Sequence, residues 1–322
     1  MRLGVVIPYW LDRPVLEAVA IGEAANRLGY GSLWIGEMMT FDAFALAAAL
    51  ARATARITLT VGPLPLATRD PAALALGVAS VSVLGARPAH LALGASTPTV
   101  IERWHGRTWR PTVARMCETV AALRPILRGE RSAFHGAQVA TDGFRLAAGA
   151  QTETSIAVAA FGPRMLAAAA AIADRVVVNL VTVAQLARIR DALAAAARAA
   201  GRPPPPLTAW VPAALTPGAS ARAELARQLV LYVGQPCYGE MFADAGHGNV
   251  VRLARAGAHP RAVAAAITPD LISAVCLAGT PSALRDGLAA YGAAGADEVA
   301  IVPVTAEDPA GETLLRALAP AP

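Results

Sequence analysis

A chain of 322 residues, 55% hydrophobic and 16% charged, holds enough apolar material for a large core and enough length for an α/β barrel with insertions. All 28 basic residues are arginine, so a Walker A phosphate loop and Schiff-base chemistry on lysine are excluded. The net charge of +5 comes from arginines scattered over helical faces, without a basic run or interleaved aromatics, and no nucleic-acid partner is expected.

Short apolar runs rich in β-formers alternate with alanine-rich helical stretches, the pattern of parallel βαβ units. In chain order, a strand at Leu3–Pro8 precedes a helix at Val15–Leu28, and a strand at Ser32–Ile35 precedes a helix at Phe44–Arg52. Next come Ile57–Gly62 with Ala72–Leu84, then Ala89–Leu93 with Pro111–Leu127. The stretch Gly129–Thr154 is polar and lacks a helical period, so it reads as a hairpin-like excursion. Strands at Ser155–Ala159 and Arg175–Asn179 are then paired with helices at Pro163–Ile172 and Val183–Ala200.

The stiff connector Pro203–Pro206 leads to a strand at Thr208–Pro212 and a helix at Ser220–Tyr232. A second excursion, Gln235–Gly279, holds short helices and a polar tip at Gly246-His247-Gly248-Asn249. Such insertions wall or lid the sites of barrels. A helix at Ser282–Ala294, a strand at Glu298–Pro303 and a helix at Glu312–Leu318 close the chain. Eight strands are the complement of a closed (β/α)8 TIM barrel, read here as one domain over residues 1–322 with insertions near 129–154 and 235–279.

Punctuation supports these bounds. Asp70-Pro71, Gly162-Pro163 and Thr280-Pro281 place a proline at a first helical position, and Gly29, Gly201 and Gly295 stand where helices stop. Cys117, Cys237 and Cys276 are odd in number and widely spaced, and the chain opens in a strand rather than a signal peptide, so a cytoplasmic location is expected. No apolar run reaches the roughly 18 to 20 residues of a membrane span, and no membrane partner is expected. The five histidines form no local ligand pair, and no metal is expected. Gly29-Tyr30-Gly31 lacks the third glycine of a dinucleotide fingerprint and precedes a strand, the wrong order for one.

Five segments in order along the chain resemble the luciferase-like monooxygenase superfamily. They are Leu33-Trp34-Ile35-Gly36-Glu37, Thr58–Gly62 with Pro63–Thr68 and Arg69-Asp70-Pro71, Leu91–Ser96, Ala160–Leu166 with Val178-Asn179-Leu180, and Gly279–Pro281 through Gly295–Val299. The fourth is similar to F420-dependent members. The resemblance implies a luciferase-like α/β barrel with coenzyme F420 at the C-terminal ends of the strands. It also implies hydride transfer between that cofactor and a small organic substrate. The alternatives are an FMN-dependent monooxygenase and, from another class, a non-catalytic flavin- or deazaflavin-binding barrel. Many members are dimers, so a homodimer is expected.

The same resemblance distributes roles. Glu37 ends the second strand, where a carboxylate hydrogen-bonds the cofactor or transfers a proton; a salt bridge to an arginine is the structural alternative. Gly62 and Pro63 fall where the superfamily has a cis peptide backing the ring, and a cis Gly62–Pro63 bond is predicted. Gly94, Ala95 and Ser96 admit close backbone approach, with Ser96 offering a hydroxyl. Ala160, Phe161, Gly162, Pro163 and Arg164 lead into a helix N-terminus suited to the cofactor phosphate. His105, which titrates near neutrality, is the second catalytic candidate. Trp10, Met38, Phe41, Asp42 and Trp104 are expected to line the substrate pocket, with Asp42 alternatively a helix cap. Met38 stands where F420-dependent sugar-phosphate dehydrogenases have a catalytic histidine, so that mechanism is not carried over.

Overall fold

The computed structural model describes residues 1–10, 12–14, 16–147 and 153–320. The expected helix start at Val15 and residues 148–152 of the first excursion lie outside them. β1 (Arg2–Val6) and α1 (Glu17–Arg27) are followed by β2 (Ser32–Ile35), α2 (Ala43–Ala53), β3 (Thr58–Pro65), α3 (Pro71–Gly85), β4 (Ala89–Gly94) and α4 (Thr112–Leu127). A hairpin of β5 (Ala133–His135) and β6 (Ala140–Asp142) precedes β7 (Ile156–Ala159), α5 (Pro163–Ile172), β8 (Arg175–Asn179) and α6 (Val183–Ala199). Then come β9 (Leu207–Leu215), α7 (Ala219–Val233), α8 (Tyr238–Phe242), α9 (Gly248–Arg255), α10 (Pro260–Ala266) and α11 (Pro269–Val275). β10 (Leu277–Gly279), α12 (Pro281–Ala293), β11 (Glu298–Pro303) and α13 (Glu312–Leu318) complete the chain.

Two compact units emerge, and each contains parallel strands. The first comprises Met1–Tyr30, Val178–Asp191 and Leu207–Pro322. Its strands run in the order β10-β9-β11-β1, with Arg2 opposite Glu298, Glu298 opposite Thr208, and Leu277 opposite Ala213. The second comprises Gly31–Val177 and Ala192–Pro206. Its order is β2-β3-β4-β7-β8, with Ser32 opposite Thr58, Leu91 opposite Ile156, and Ala157 opposite Arg175. Apart from the three-residue β10, these are the eight strands the sequence predicts.

Strand composition follows from burial on both faces. Leu33, Trp34, Ile35, Leu59, Val61, Leu91, Leu93, Ile156 and Val158 are all inaccessible to solvent, so these strands read as continuous apolar runs rather than alternations. Helix starts follow side-chain acceptors: Asp42 accepts from the Ala45 N–H, Asp70 from Ala73 and Thr280 from Ala283. Gly29, Gly201 and Gly295 all take positive φ just past a helix end.

Both excursions acquire structure. The first contains the β5–β6 hairpin, with Phe134 opposite Thr141. In the second, α8 to α11 pack as a helical layer on α7. Leu225, Leu229, Val233, Phe242, Val250, Val251, Val263, Leu271 and Val275 form one buried cluster there. No helix among the described residues is long and apolar enough to cross a membrane. None of them form a cluster of three or more histidine, cysteine or acidic side chains able to hold a metal.

Candidate active site

Most of the residues singled out in the sequence fall within the second unit, at the C-terminal ends of β2, β3, β4 and β7. Glu37 lies two residues beyond β2. Its two oxygens accept from the Arg69 guanidinium, Oε1 from Nη1 at 2.6 Å and Oε2 from Nη2 at 2.7 Å. The Ala43 N–H at the start of α2 adds a third bond to Oε2, at 3.0 Å. Arg69 also binds Asp42 and lies over the Phe44 ring, 5.5 Å from its centroid. The hydrogen bonds that Arg69 donates to Glu37, with the charge of that carboxylate, hold the guanidinium above its ordinary range against the opposing effect of burial. The carboxylate thus accepts three hydrogen bonds, two of them from Arg69, the arrangement of the salt-bridge alternative. Asp42 is the α2 cap, half exposed and bound to Arg69. Met38 and Phe41 lie half-buried beside this network.

At the end of β3, the Gly62–Pro63 peptide is cis, as predicted, and a register shift falls between Val61 and Leu64. Gly62 has φ +124°, and a Cβ there would sit 2.1 Å from the Ala92 carbonyl oxygen and 2.7 Å from the Leu64 nitrogen. No side chain fits. Gly94 is the next step across the sheet. A Cβ on it would lie 3.1 Å from Pro63 Cβ and 3.7 Å from Ala159 Cβ. The ends of β3, β4 and β7 therefore meet through Pro63, Gly94 and Ala159, a floor of small residues.

The turn after β4 is held in an uncommon conformation. Ser96 has φ +56°, a region that non-glycine residues rarely enter. Trp109 secures it: its indole N–H donates to the carbonyls of Ala95 at 3.0 Å and Ser96 at 3.2 Å. The intervening Thr99–Trp104 forms a π-helical turn, with His105 N–H reaching the Val100 carbonyl. Such turns recur at functional sites. Trp104 and His105 project into solvent, so His105 is not enclosed by the residues around Glu37. Arg115 donates to the Thr108 and Trp109 carbonyls, and Arg110 stacks over the Trp109 ring at 5.1 Å; the Arg110–Pro111 peptide is also cis.

After β7, Ala160 is buried and donates its N–H to Val177, whereas Phe161 and Gly162 are half-buried. α5 begins at Pro163 without a side-chain cap, and Arg164 is exposed beside that open end. In the other unit, Trp10 is half-buried, with its indole N–H donating to the Pro303 carbonyl at 3.0 Å.

Sequence reasoning missed two residues of this region. Arg69 appeared only as part of a motif, yet it neutralises both Glu37 and Asp42. Trp109 carried no role, yet it ties the Ala95–Ser96 turn. The usable signal for Arg69 was a cation immediately before a helix cap. Trp109 had none, because its partners are backbone carbonyls.

Comparison with known proteins adds relatives to this geometry. The family model for luciferase-like monooxygenases matches residues 1–298. A 5,10-methylenetetrahydromethanopterin reductase of Methanolobus tindarius is 27% identical over 193 residues, which span 59% of this chain and only 58% of that protein. The coenzyme F420-dependent tetrahydromethanopterin reductase of Methanopyrus kandleri superposes with a TM-score of 0.82 at 17% identity, covering 99% of this chain and 98% of that one. The oxygenating constituent of 3,6-diketocamphane monooxygenase of Pseudomonas putida, solved with FMN, superposes with a TM-score of 0.71 at 19% identity, covering 99% and 97%. These likenesses establish the fold as the α/β class, a (β/α)8 barrel.

Proposed function

Because the chain belongs to the luciferase-like monooxygenase family of oxidoreductases, we propose that it binds coenzyme F420 and transfers hydride between that cofactor and a small organic substrate. The observation that carries this reading is the tightly packed junction of Gly62, Pro63, Gly94 and Ala159 at the strand ends, where Pro63 and Ala159 stay half-buried and offer a flat ring a surface without long side chains. The left-handed Ser96 turn lies at one end of that floor, and the uncapped start of α5 follows β7 on the neighbouring strand. Helix N-termini attract phosphate through their free N–H groups and dipole, and Arg164 adds charge there. The deazaflavin supplies the hydride chemistry when bound; the chain supplies the floor, the phosphate anchor and the rigid walls around them.

Glu37 takes a positioning role in this reading. Its three hydrogen bonds, from Arg69 and the Ala43 N–H, order the β2–α2 loop that carries Met38 and Phe41. His105 is the remaining titratable candidate and contacts substrate when a ligand covers its exposed face. We propose one barrel domain whose partners are the substrate and a second copy of the chain. Leu76, Val83 and Leu84 support the latter, standing exposed on α3, a helix without a charged residue.

The Ala160–Leu166 segment, similar to F420-dependent members, supports F420 over FMN. Anaerobic mixing of the protein with F420 and a panel of alcohol and reduced-pterin donors tests it. Loss of the oxidised deazaflavin absorbance with a donor is the expected result. No turnover in either direction, with F420 bound, would favour the non-catalytic barrel.

A further inference from the structure

The expectation of arginines without interleaved aromatics fails at one place: between the strand-β4 turn and α4 the chain reads Arg103-Trp104-His105-Gly106-Arg107-Thr108-Trp109-Arg110. This stretch departs from the scattered pattern of the other arginines. Most arginines among the described residues bind a carboxylate or a backbone carbonyl, as Arg13, Arg69, Arg87 and Arg124 do. Arg103, Arg107 and Arg110 have no side-chain hydrogen bond or ion pair among the described residues, and all three are exposed. Glu102 is the sole acid in this stretch. Four arginines, counting Arg115, thus face one carboxylate over residues 102–115.

The segment is nevertheless built. Arg115 clamps the Thr108 and Trp109 carbonyls, the Arg107 N–H reaches the Ile101 carbonyl, and Trp109 fastens the strap to Ala95 and Ser96. Arg110, stacked on that ring, is therefore positioned beside the β4 turn rather than adrift in solvent. One stacked and two exposed guanidinium groups without an internal anion, carried on an ordered strap, are an arrangement for external anions. β4 and β7 are adjacent strands, so the Ala95–Ser96 turn to which Trp109 ties the strap and the turn leading into α5 follow neighbouring strands.

We propose that the strap Arg103–Arg110 binds the carboxylates that follow the phosphate along the tail of the cofactor. This rests on the F420 reading above. The phosphate at α5 and the tail carboxylates at the strap are successive stations for one extended polyanion. The strap discriminates by tail: it engages a phosphate followed by several carboxylates, and offers little to a flavin whose tail ends at the phosphate.

The test is an equilibrium fluorescence titration of the wild type and the R103Q/R107Q/R110Q variant, at low and high salt. Three ligands are used: F420 with a polyglutamate tail, the tail-less deazaflavin chromophore, and FMN. Removing three exposed cation–anion contacts is expected to weaken F420 binding by about tenfold or more. It should also flatten the salt dependence, since salt screens exposed charge pairs. The tail-less chromophore is expected to bind both proteins equally, which confirms that the variant is folded. Equal F420 affinity and salt dependence in both proteins would overturn the strap while leaving the cofactor reading intact. A parallel loss of the tail-less chromophore would also overturn it, because the effect would then lie in the ring site. Wild type that binds FMN but not F420 would overturn both.

Discussion

At the scale of single residues, Arg69 is the side chain whose removal should be felt most in the region of the candidate site. It neutralises Glu37 and Asp42 from a position only 17% exposed, with Glu37 itself 14% exposed. Truncating one partner leaves the other charge poorly solvated, so Arg69→Ala is expected to lose about 2–3 kcal/mol, below the roughly 3–5 of a wholly buried pair. Urea unfolding of Arg69→Ala, Glu37→Gln and the double variant checks this. Strong coupling between the two sites is expected, and additive losses would contradict it. His90 makes a second residue-scale prediction. Burial, aided by Arg175, lowers its pKa, and its Nδ1 accepts from the Ser155 N–H. Above about pH 6.5 the ring is neutral in both states, so its hydrogen bond is retained. Below that value the unfolded chain takes up the proton first, and stability falls as the pH drops towards the depressed folded value. Unfolding curves between pH 8 and pH 5 should show this loss diminished in His90→Gln; parallel curves for the two proteins would refute it.

At the scale of elements, the end of β3 is the most constrained piece of backbone near the site. Gly62→Ala would force a methyl into the Ala92 carbonyl at a φ that L-residues avoid, and is expected to destabilise by about 3 kcal/mol or more. Thermal unfolding reads the loss directly, and a change within about 0.5 kcal/mol, the range of an ordinary surface substitution, would contradict the geometry. The same elements show what a sequence conveys. The β-strands were legible because each parallel strand is buried on both faces and reads as a continuous apolar run. β10 was not, since Leu277–Gly279 is three residues long and becomes a strand only by pairing with Ala213–Leu215. The π-helical turn at Thr99–Trp104 carried no local signal either; it lies between the Ala95–Ser96 turn and Trp109, whose indole donates back to those carbonyls.

At the scale of the molecule, alternation of strand and helix was sufficient to foresee the barrel, and the positions of Gly62, Pro63 and Gly94 were foreseen by resemblance. The electrostatics were legible only as an alternative, a salt bridge from Glu37 to an unspecified arginine. Glu37 and Arg69 are 32 residues apart in sequence, and nothing in either local pattern says that they share two hydrogen bonds. That pairing supports the positioning role proposed for Glu37. The central claim is that this barrel holds a deazaflavin on the small-residue floor. Equilibrium titration of the purified protein with F420 and FMN in competition tests it most directly. Saturable F420 binding that FMN displaces only weakly is the predicted result. Tight FMN binding with no binding of F420 would contradict it.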